Sequence, residues 1–361
     1  MTDHDTDIHW MQYAIEQAAT AIYRTRPNPA VGCVIVNNHQ IVGRGATAPV
    51  GGSHAEVFAL RDAGELAQGA TAYVTLEPCA HHGRTPPCAE ALVKAKIQRV
   101  VIACLDPNPL VAGKGIKILQ DAGIEVVHGI LQDQARRQNL GFLKAMAHKM
   151  PYVRLKVASS LDGRTAMASG ESKWITGDLA RQDVQHWRAI SGAVITGIQT
   201  VLADDCQLNV RQLANIDLAD VVQPKRIILD RQGRLPLTAK ILQQPDTVMV
   251  VGQFRQELAD LGVVQLPDQP LQQLLATLCQ DYQFYDVLVE AGATLSTAFL
   301  QQGLVDEMLH YIAPTLLGQT ARAMFQSDFQ HLAQQQRFGL QEVIQLGNDL
   351  RLSLIPLQES L

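Results

Sequence analysis

The sequence predicts an α/β chain of two domains, on three observations. Apolar, β-rich runs alternate with segments of helical spacing, the pattern of an α/β layer on a largely parallel sheet. The 361 residues are 47% hydrophobic, ample for a core and long enough to favour two. Met150-Pro151 interrupts a helical, increasingly basic segment, because the residue before proline disfavours helix, and the strand–helix alternation then restarts. The boundary is placed there, giving domains 1–150 and 151–361.

In the first domain, Ile8 to Tyr23 carries apolar groups at helical spacing. Val31–Val36 reads as a strand, Asn37-Asn38 as a hairpin turn and Gln40–Gly45 as the returning strand. Ser53 is placed as the cap of a helix that starts at His54. Ala72–Leu76 is a strand that delivers Glu77-Pro78-Cys79 at its end. Pro87–Ala95 is a helix, with proline early, where its missing N–H costs little. Arg99–Cys104 and Ile124–Val127 are strands around a helix at Ile116–Ala122, and Leu131–His148 is helical. In the second domain, strands are expected at Tyr152–Ala158, Ala193–Thr196, Arg226–Asp230, Thr247–Val251 and Asp286–Glu290. Helices are expected at Asp178–Ile190 and Leu271–Leu278, with β-like segments at Val305–Ile312 and Leu350–Leu354.

The chemistry is concentrated between His54-Ala55-Glu56 and Glu77-Pro78-Cys79 with Cys88. A catalytic zinc holds three nitrogen or sulfur donors, keeps its fourth position for water and lowers that water's pKa towards neutrality. His54, Cys79 and Cys88 fill the three positions, and Glu56 is left to move protons between water and substrate. His-x-Glu followed by Pro-Cys-x-x-Cys marks the zinc nucleobase deaminases. Here the second half is stretched, with eight residues between the cysteines, so a loop must leave and return, bending at Gly83 and Pro86-Pro87. A structural zinc site closed by His81 or His82 is the competing reading. Pro27-Asn28-Pro29 and Pro107-Asn108-Pro109 are rigid turns, and each presents an amide able to donate to and accept from a pyrimidine edge.

His54-Ala55-Glu56 with Glu77-Pro78-Cys79-Ala80-His81-His82-Gly83-Arg84-Thr85-Pro86-Pro87-Cys88 closely resembles the bifunctional deaminase-reductase family of riboflavin biosynthesis, RibD. Ala193–Asp205, Leu208-Asn-Val-Arg211 and Glu290-Ala-Gly-Ala-Thr294 are similar to the reductase half of the same family. The resemblance implies a cytidine-deaminase-like N-terminal domain and a dihydrofolate-reductase-like C-terminal domain that uses NADPH. It implies zinc on His54, Cys79 and Cys88, catalysis by Glu56, and pyrimidine binding by Asn28, Asp106 and Asn108. For the reductase it implies cofactor contacts from Ala158, Trp174, Thr200, Asp204, Gly292, Ala293, Thr294, Leu295, Ser296, Thr297 and Ala298. Substrate contacts would come from Ser172, Arg188, Leu208, Arg211 and Glu290, with the two arginines as phosphate ligands. Trp174 is left open between core and cofactor, and Arg231 is not assigned. No Gly-x-Gly-x-x-Gly follows a strand, so the dinucleotide is expected over Gly292 and the helix starting near Thr294.

Net charge is −5 with acids and bases mixed, which argues against a nucleic-acid footprint and a tRNA substrate. The six cysteines form no disulfide framework, no apolar run reaches membrane-spanning length, and the acidic N-terminus is unlike a secretory signal. The expected setting is cytoplasmic, with a phosphorylated pyrimidine as partner, neither nucleic acid nor membrane, and, from the resemblance, a homo-oligomer. A zinc-stabilised binding module without catalysis is the rival from another class.

Overall fold

Hydrophobic alternation along the strands builds three buried clusters, one in the unit Met1–Lys149 and two, on opposite faces of one sheet, in the unit Met150–Leu361. The structure, a computed structural model, describes residues 3–80, 86–108 and 112–357.

The first unit runs α1 (Asp3–Ala19), β1 (Gly32–Asn37), β2 (Gln40–Ala46), α2 (Ala55–Ala63), β3 (Thr71–Leu76), α3 (Cys88–Lys94), β4 (Arg99–Cys104), α4 (Lys114–Asp121), β5 (Glu125–His128), α5 (Gln132–Arg137) and α6 (Leu140–His148). The sheet order is β2-β1-β3-β4-β5. Only β3-β4-β5 is parallel, and β1 is antiparallel to both neighbours. The largely parallel sheet expected here is therefore half antiparallel, because a two-residue turn can only join antiparallel strands. That turn is Asn38-His39, both with positive φ (49° and 58°), the pair a type I′ turn requires. The long helix expected at 131–148 is two helices, broken where Gln138 and Asn139 turn their side chains to the main chain of Ile15 and Ala30.

Register fixes where the loops meet. Cys33 pairs with Val74 and Val36 with Thr71, so the start of β1 lies beside the end of β3. Gly32 pairs with Ala46, which brings the end of β2 to the same edge, and parallel β4 ends there too. One sheet edge thus collects the Asn28 loop, the chain entering α2 at His54, the Glu77–Cys79 segment and the Asp106–Asn108 loop.

The second unit contains β6 (Tyr152–Ser160), β7 (Arg164–Ala166), α7 (Asp178–Ile190), β8 (Ala193–Gly197), α8 (Ile198–Asp204), β9 (Lys225–Asp230), β10 (Val248–Gly252), α9 (Gln256–Asp260), β11 (Val264–Leu266), α10 (Leu271–Gln280), β12 (Asp286–Glu290), α11 (Ala293–Gln301), β13 (Glu307–Ala313), β14 (Arg322–Ala323), β15 (Phe338–Leu346) and β16 (Asp349–Pro356). Nine strands form one sheet in the order β11-β10-β9-β8-β12-β6-β13-β16-β15. It is parallel from β11 to β13 and antiparallel beyond. Strand residues alternate between its faces. Val194, Ile228, Val250 and Leu288 pack with Ala180, Val184 and Val201 of α7 and α8. Ile195, Ile227, Met249 and Val289 pack with Leu274, Leu278 and Phe299 of α10 and α11. Both faces of the parallel part are covered, as such sheets require. No helix among the described residues is long and apolar enough to cross a membrane.

Candidate functional sites: a three-donor metal cluster and a charged cleft

In the first unit, β3 carries the chain to Cys79, α2 begins after His54 and α3 begins at Cys88, so three elements aim one donor each at a common point. His54 Nδ1 lies 3.2 Å from Cys88 Sγ and 3.6 Å from Cys79 Sγ, and all three donors lie within 4.8 Å of one another. A tetrahedral zinc with bonds of about 2.0–2.3 Å has its corners roughly 3.3–3.8 Å apart, so these separations and this donor set fit it. The Cys88 N–H donates to Cys79 Sγ at 3.3 Å. Hydrogen bonding from the Cys88 thiol pushes Cys79 down to about 4, and the same contact, with burial, pushes Cys88 up. A cation bound at this point takes thiolates, so its binding releases thiol protons.

Glu56 sits in the first turn of α2, 3% exposed, and interacts with the Cys88 thiol. Burial pushes its carboxyl up to about 7. Ser53 is not the cap expected of it. His54 occupies the cap position and makes no side-chain capping bond, which leaves its ring for the cluster.

Glu77, unassigned from sequence, ties the chain leaving β3 to the start of α4. Its carboxylate accepts the N–H groups of Gly113 (3.2 Å) and Gly115 (3.1 Å), and its own N–H donates to the Cys104 carbonyl. A Cβ on Gly115 would lie 2.0 Å from the Pro78 carbonyl oxygen, so only glycine permits this approach. Asn28 is half-buried, and Asp106 is buried and accepts the Asn108 N–H at 2.8 Å. His81, His82, Gly83 and Pro109, named above, lie outside the described residues.

In the second unit, a cleft of about 1410 Å³ opens at the carboxyl ends of β6, β8, β9, β10 and β12, where ligands of open α/β sheets bind. That exceeds the roughly 300–1,000 Å³ of a pocket for one drug-sized ligand, so a dinucleotide and a second small molecule fit together. It is lined by Ala158, Trp174, Thr200, Asp204, Gly292, Ala293, Thr294, Leu295 and Ala298, and by Ser172, Arg188, Leu208, Arg211 and Glu290. Gly292 is the N-cap of α11, whose first N–H groups have no partner within the helix and suit a diphosphate.

Ser296 and Thr297, grouped with the cofactor contacts above, face inward instead. They are 0% and 4% exposed, Ser296 Oγ donates to the Ala291 carbonyl, and Thr297 Oγ1 accepts the Gln326 N–H. The period of α11 turns these two away from the cleft that Thr294, Leu295 and Ala298 line. Trp174 is not core, being 69% exposed with the Arg181 guanidinium 4.4 Å from its ring centre.

Arg188 is paired rather than open to a phosphate. Its Nε and Nη2 donate to the two Glu290 oxygens at 2.6 and 2.9 Å, and Nη1 donates to the Asn209 carbonyl at 3.2 Å. Burial works to raise the Glu290 carboxyl, but the charge and hydrogen bonds of Arg188 overcome it and hold the pKa below the usual value. Arg211 is exposed, with Nη1 donating to Asn209 Oδ1. Lys156, which the sequence reading missed, is the register partner of Glu290 across β6 and β12, with Nζ 4.0 Å from Glu290 Oε2 and the side chain 21% exposed. Burial pushes its ammonium below the ordinary lysine value, against the pull of Glu290. The alternation of β6 signals that Lys156 and Ala158 share a face, but the pairing with β12 is not visible before folding.

The comparisons with known proteins agree across both units. Residues 4–104 match the cytidine and deoxycytidylate deaminase zinc-binding region, and residues 151–352 match the RibD C-terminal domain. The riboflavin biosynthesis protein RibD of Haemophilus influenzae is 48% identical, with 97% of each chain covered, and that of Escherichia coli is 46% identical, with 97% of this chain and 99% of the relative covered. Among solved structures, Acinetobacter baumannii RibD superposes with a TM-score of 0.96 at 71% identity, covering 99% of this chain and all of that one. A Thermotoga maritima structure described as a diaminohydroxyphosphoribosylaminopyrimidine deaminase/5-amino-6-(5-phosphoribosylamino)uracil reductase superposes with a TM-score of 0.89 at 32% identity, again covering 99% of this chain and all of that one. The fold is therefore the cytidine-deaminase-like domain followed by the dihydrofolate-reductase-like domain. With a three-donor zinc site in one half and a dinucleotide-sized cleft in the other, the chain belongs to the RibD family of riboflavin-biosynthesis enzymes, a zinc-dependent deaminase joined to an NADPH-dependent reductase.

Proposed function

We propose that residues 1–150 hydrolytically deaminate 2,5-diamino-6-ribosylamino-4(3H)-pyrimidinone 5′-phosphate, and that residues 151–361 reduce the ribosyl chain of the product, 5-amino-6-(5-phosphoribosylamino)uracil, to ribityl. The observation that carries the first step is the convergence of His54, Cys79 and Cys88 with a buried Glu56 against them. Those three residues hold zinc, which when bound makes water nucleophilic near neutral pH. Glu56 takes a proton from the attacking water and delivers protons to the ring nitrogen and the departing ammonia. Asn28 pairs with the lactam edge, and Asp106 and Asn108 complete the pyrimidine pocket from the neighbouring loop of the same sheet edge.

In the second step NADPH supplies a hydride to C1 of the opened ribosylamine. Ala158, Trp174, Thr200, Asp204 and the segment from Gly292 to Leu295, with Ala298, hold the cofactor. Ser172, Leu208 and Glu290 hold the substrate, and Arg211 takes its phosphate. Arg188 fixes the Glu290 carboxylate in plane through two parallel bonds. Lys156, an ammonium made more acidic by burial beside that carboxylate, gives the proton that the reduced nitrogen takes up. We place the enzyme in the cytoplasm as a homo-oligomer. Six cysteines, none of them in a disulfide, support the compartment, and Leu340 and Val343, 59% and 51% exposed on the edge strand β15, support self-association.

One assay tests the reading. The diaminopyrimidine phosphate is supplied without and then with NADPH, and ammonia and NADPH are followed. Ammonia release without NADPH, then NADPH oxidation on its addition, is the expected result. Neither signal from a zinc-loaded chain would leave a binding module in place of an enzyme.

A further inference from the structure

We infer that Asn139, far from the metal cluster in sequence and on no strand, is a positioning residue for deamination that sets the Asn28 amide against the pyrimidine. The inference rests on the pyrimidine-binding role proposed for Asn28. Asn139 is 7% exposed and stands at the start of α6, yet its side chain makes no capping bond to its own helix. It reaches across 109 residues to Ala30 instead. The Ala30 N–H donates to Asn139 Oδ1 at 2.8 Å, and Asn139 Nδ2 donates to the Ala30 carbonyl at 2.8 Å.

A carboxamide that both donates to and accepts from one residue's main chain holds it as a neighbouring strand would. The next two N–H groups are also accepted by side chains, Val31 by Thr47 Oγ1 at 3.0 Å and Gly32 by Thr75 Oγ1 at 3.1 Å. Thr47 and Thr75 belong to chain already fixed by the sheet. Asn139 belongs to the later α5–α6 segment, and its clamp lies two residues from Asn28. On the other side of Asn28 the chain turns through its own N–H bond to the Thr25 carbonyl at 2.9 Å. Pro29 stiffens the link, so a shift at Ala30 is passed to the amide rather than absorbed. None of this touches Glu56 or the three donors, so the clamp acts on substrate placement.

The test is a cycle of Asn28→Ala, Asn139→Ala and the double variant in the full chain. It reads deaminase KM and kcat by ammonia release, and bound zinc per chain by elemental analysis. Asn139→Ser runs in parallel, because serine keeps a good helix start at this position while being too short to span Ala30. The expected result is a KM raised about tenfold in each single variant, with kcat changed less and zinc retained, and a double variant no worse than Asn28→Ala alone. Three results would overturn the inference. One is an unchanged KM in Asn139→Ala or Asn139→Ser beside a raised KM in Asn28→Ala. Another is KM effects that multiply in the double variant. The third is a normal KM in Asn28→Ala, which removes the Asn28 reading and the inference with it. If Asn139→Ala loses its zinc, Asn139→Ser carries the comparison.

Discussion

The two sites are built on different principles. The metal cluster takes its donors from a short span, with Cys79 25 residues and Cys88 34 residues from His54, and the side-chain types alone state the chemistry. The reductase cluster joins Arg188 to a carboxylate 102 residues away and adds Lys156 through strand register. Its residue types are ordinary, and only their pairing gives them meaning. A donor set is therefore written in the chain, whereas an ion-pair site is written in the sheet. Each can be broken without the other, and the experiments below do so in order of expected effect.

Glu56→Gln breaks the first site with least disturbance. The amide keeps size and burial but cannot carry protons. Deaminase kcat should fall by about 10²–10⁴-fold. Bound zinc should remain, and NADPH oxidation with the deaminated intermediate should continue. Deamination at close to the unmodified rate would remove Glu56 from the mechanism.

Glu290→Gln breaks the second. It leaves the Arg188 guanidinium buried opposite a neutral amide, which typically costs about 3–5 kcal/mol when a buried pair loses one partner. Reductase turnover should drop on the order of 10²-fold, with deamination retained. Lys156→Met, which keeps the apolar stem and removes the proton, should lower reductase kcat more than it raises KM. If Lys156→Met reduces at the normal rate, the proton comes from elsewhere and Lys156 leaves the mechanism.

The contrast also explains what could be read beforehand. His54, Glu56, Cys79 and Cys88 were legible because few arrangements other than a metal site use those types together. The parallel strands β6, β8, β9, β10 and β12 were legible as apolar runs, being covered on both faces, whereas the three residues of β11 are too few to show a pattern. Strand β15 was not, because its exposed Gln341, Glu342 and Val343 dilute the apolar signal of an edge strand. Lys156 was hidden because one lysine in an alternating strand reads as a solvated side chain. The inward turn of Ser296 and Thr297 was hidden because a resemblance carries over a segment, not the face of a helix. Asn139 was hidden for a third reason, since its work is done on a backbone 109 residues distant.

Gly115→Ala sharpens the comparison from the structural side of the first site. The new methyl would meet the Pro78 carbonyl oxygen at 2.0 Å, beside the Glu77 carboxylate that holds the start of α4. Backbone must shift, at a cost of about 1–3 kcal/mol. Zinc affinity and the first unit's melting temperature should both fall, with reductase kinetics retained. Unchanged zinc affinity would mean that Cys79 is not braced through Glu77.

Acid should weaken the second unit gradually, and this is the smallest effect expected. Burial pushes His186 down to about 4, helped by Arg154 and Arg351 and opposed by Asp183. Burial alone does the same to His310, whose Nε2 lies 2.8 Å from Ser159 Oγ. Above about pH 6.5 both rings are neutral whether the chain is folded or not, and their contribution is fully present. As pH falls below that, the unfolded chain takes up protons that the folded chain refuses. Stability is then lost progressively down to about pH 4, where the folded rings protonate as well. The limiting slope is about 1.4 kcal/mol per pH unit for each ring, that of one proton taken up on unfolding. Denaturant melts of the full chain between these limits, followed by Trp187 fluorescence with Trp10 and Trp174 replaced by phenylalanine, measure it. His310→Gln, which keeps a partner for Ser159 without a titrating ring, should flatten the slope by about half. A slope that survives both His186→Gln and His310→Gln would remove these two rings as its cause, because the depressed carboxyl of Glu290 loses its contribution only below the ordinary glutamate value, at the acid end of this range.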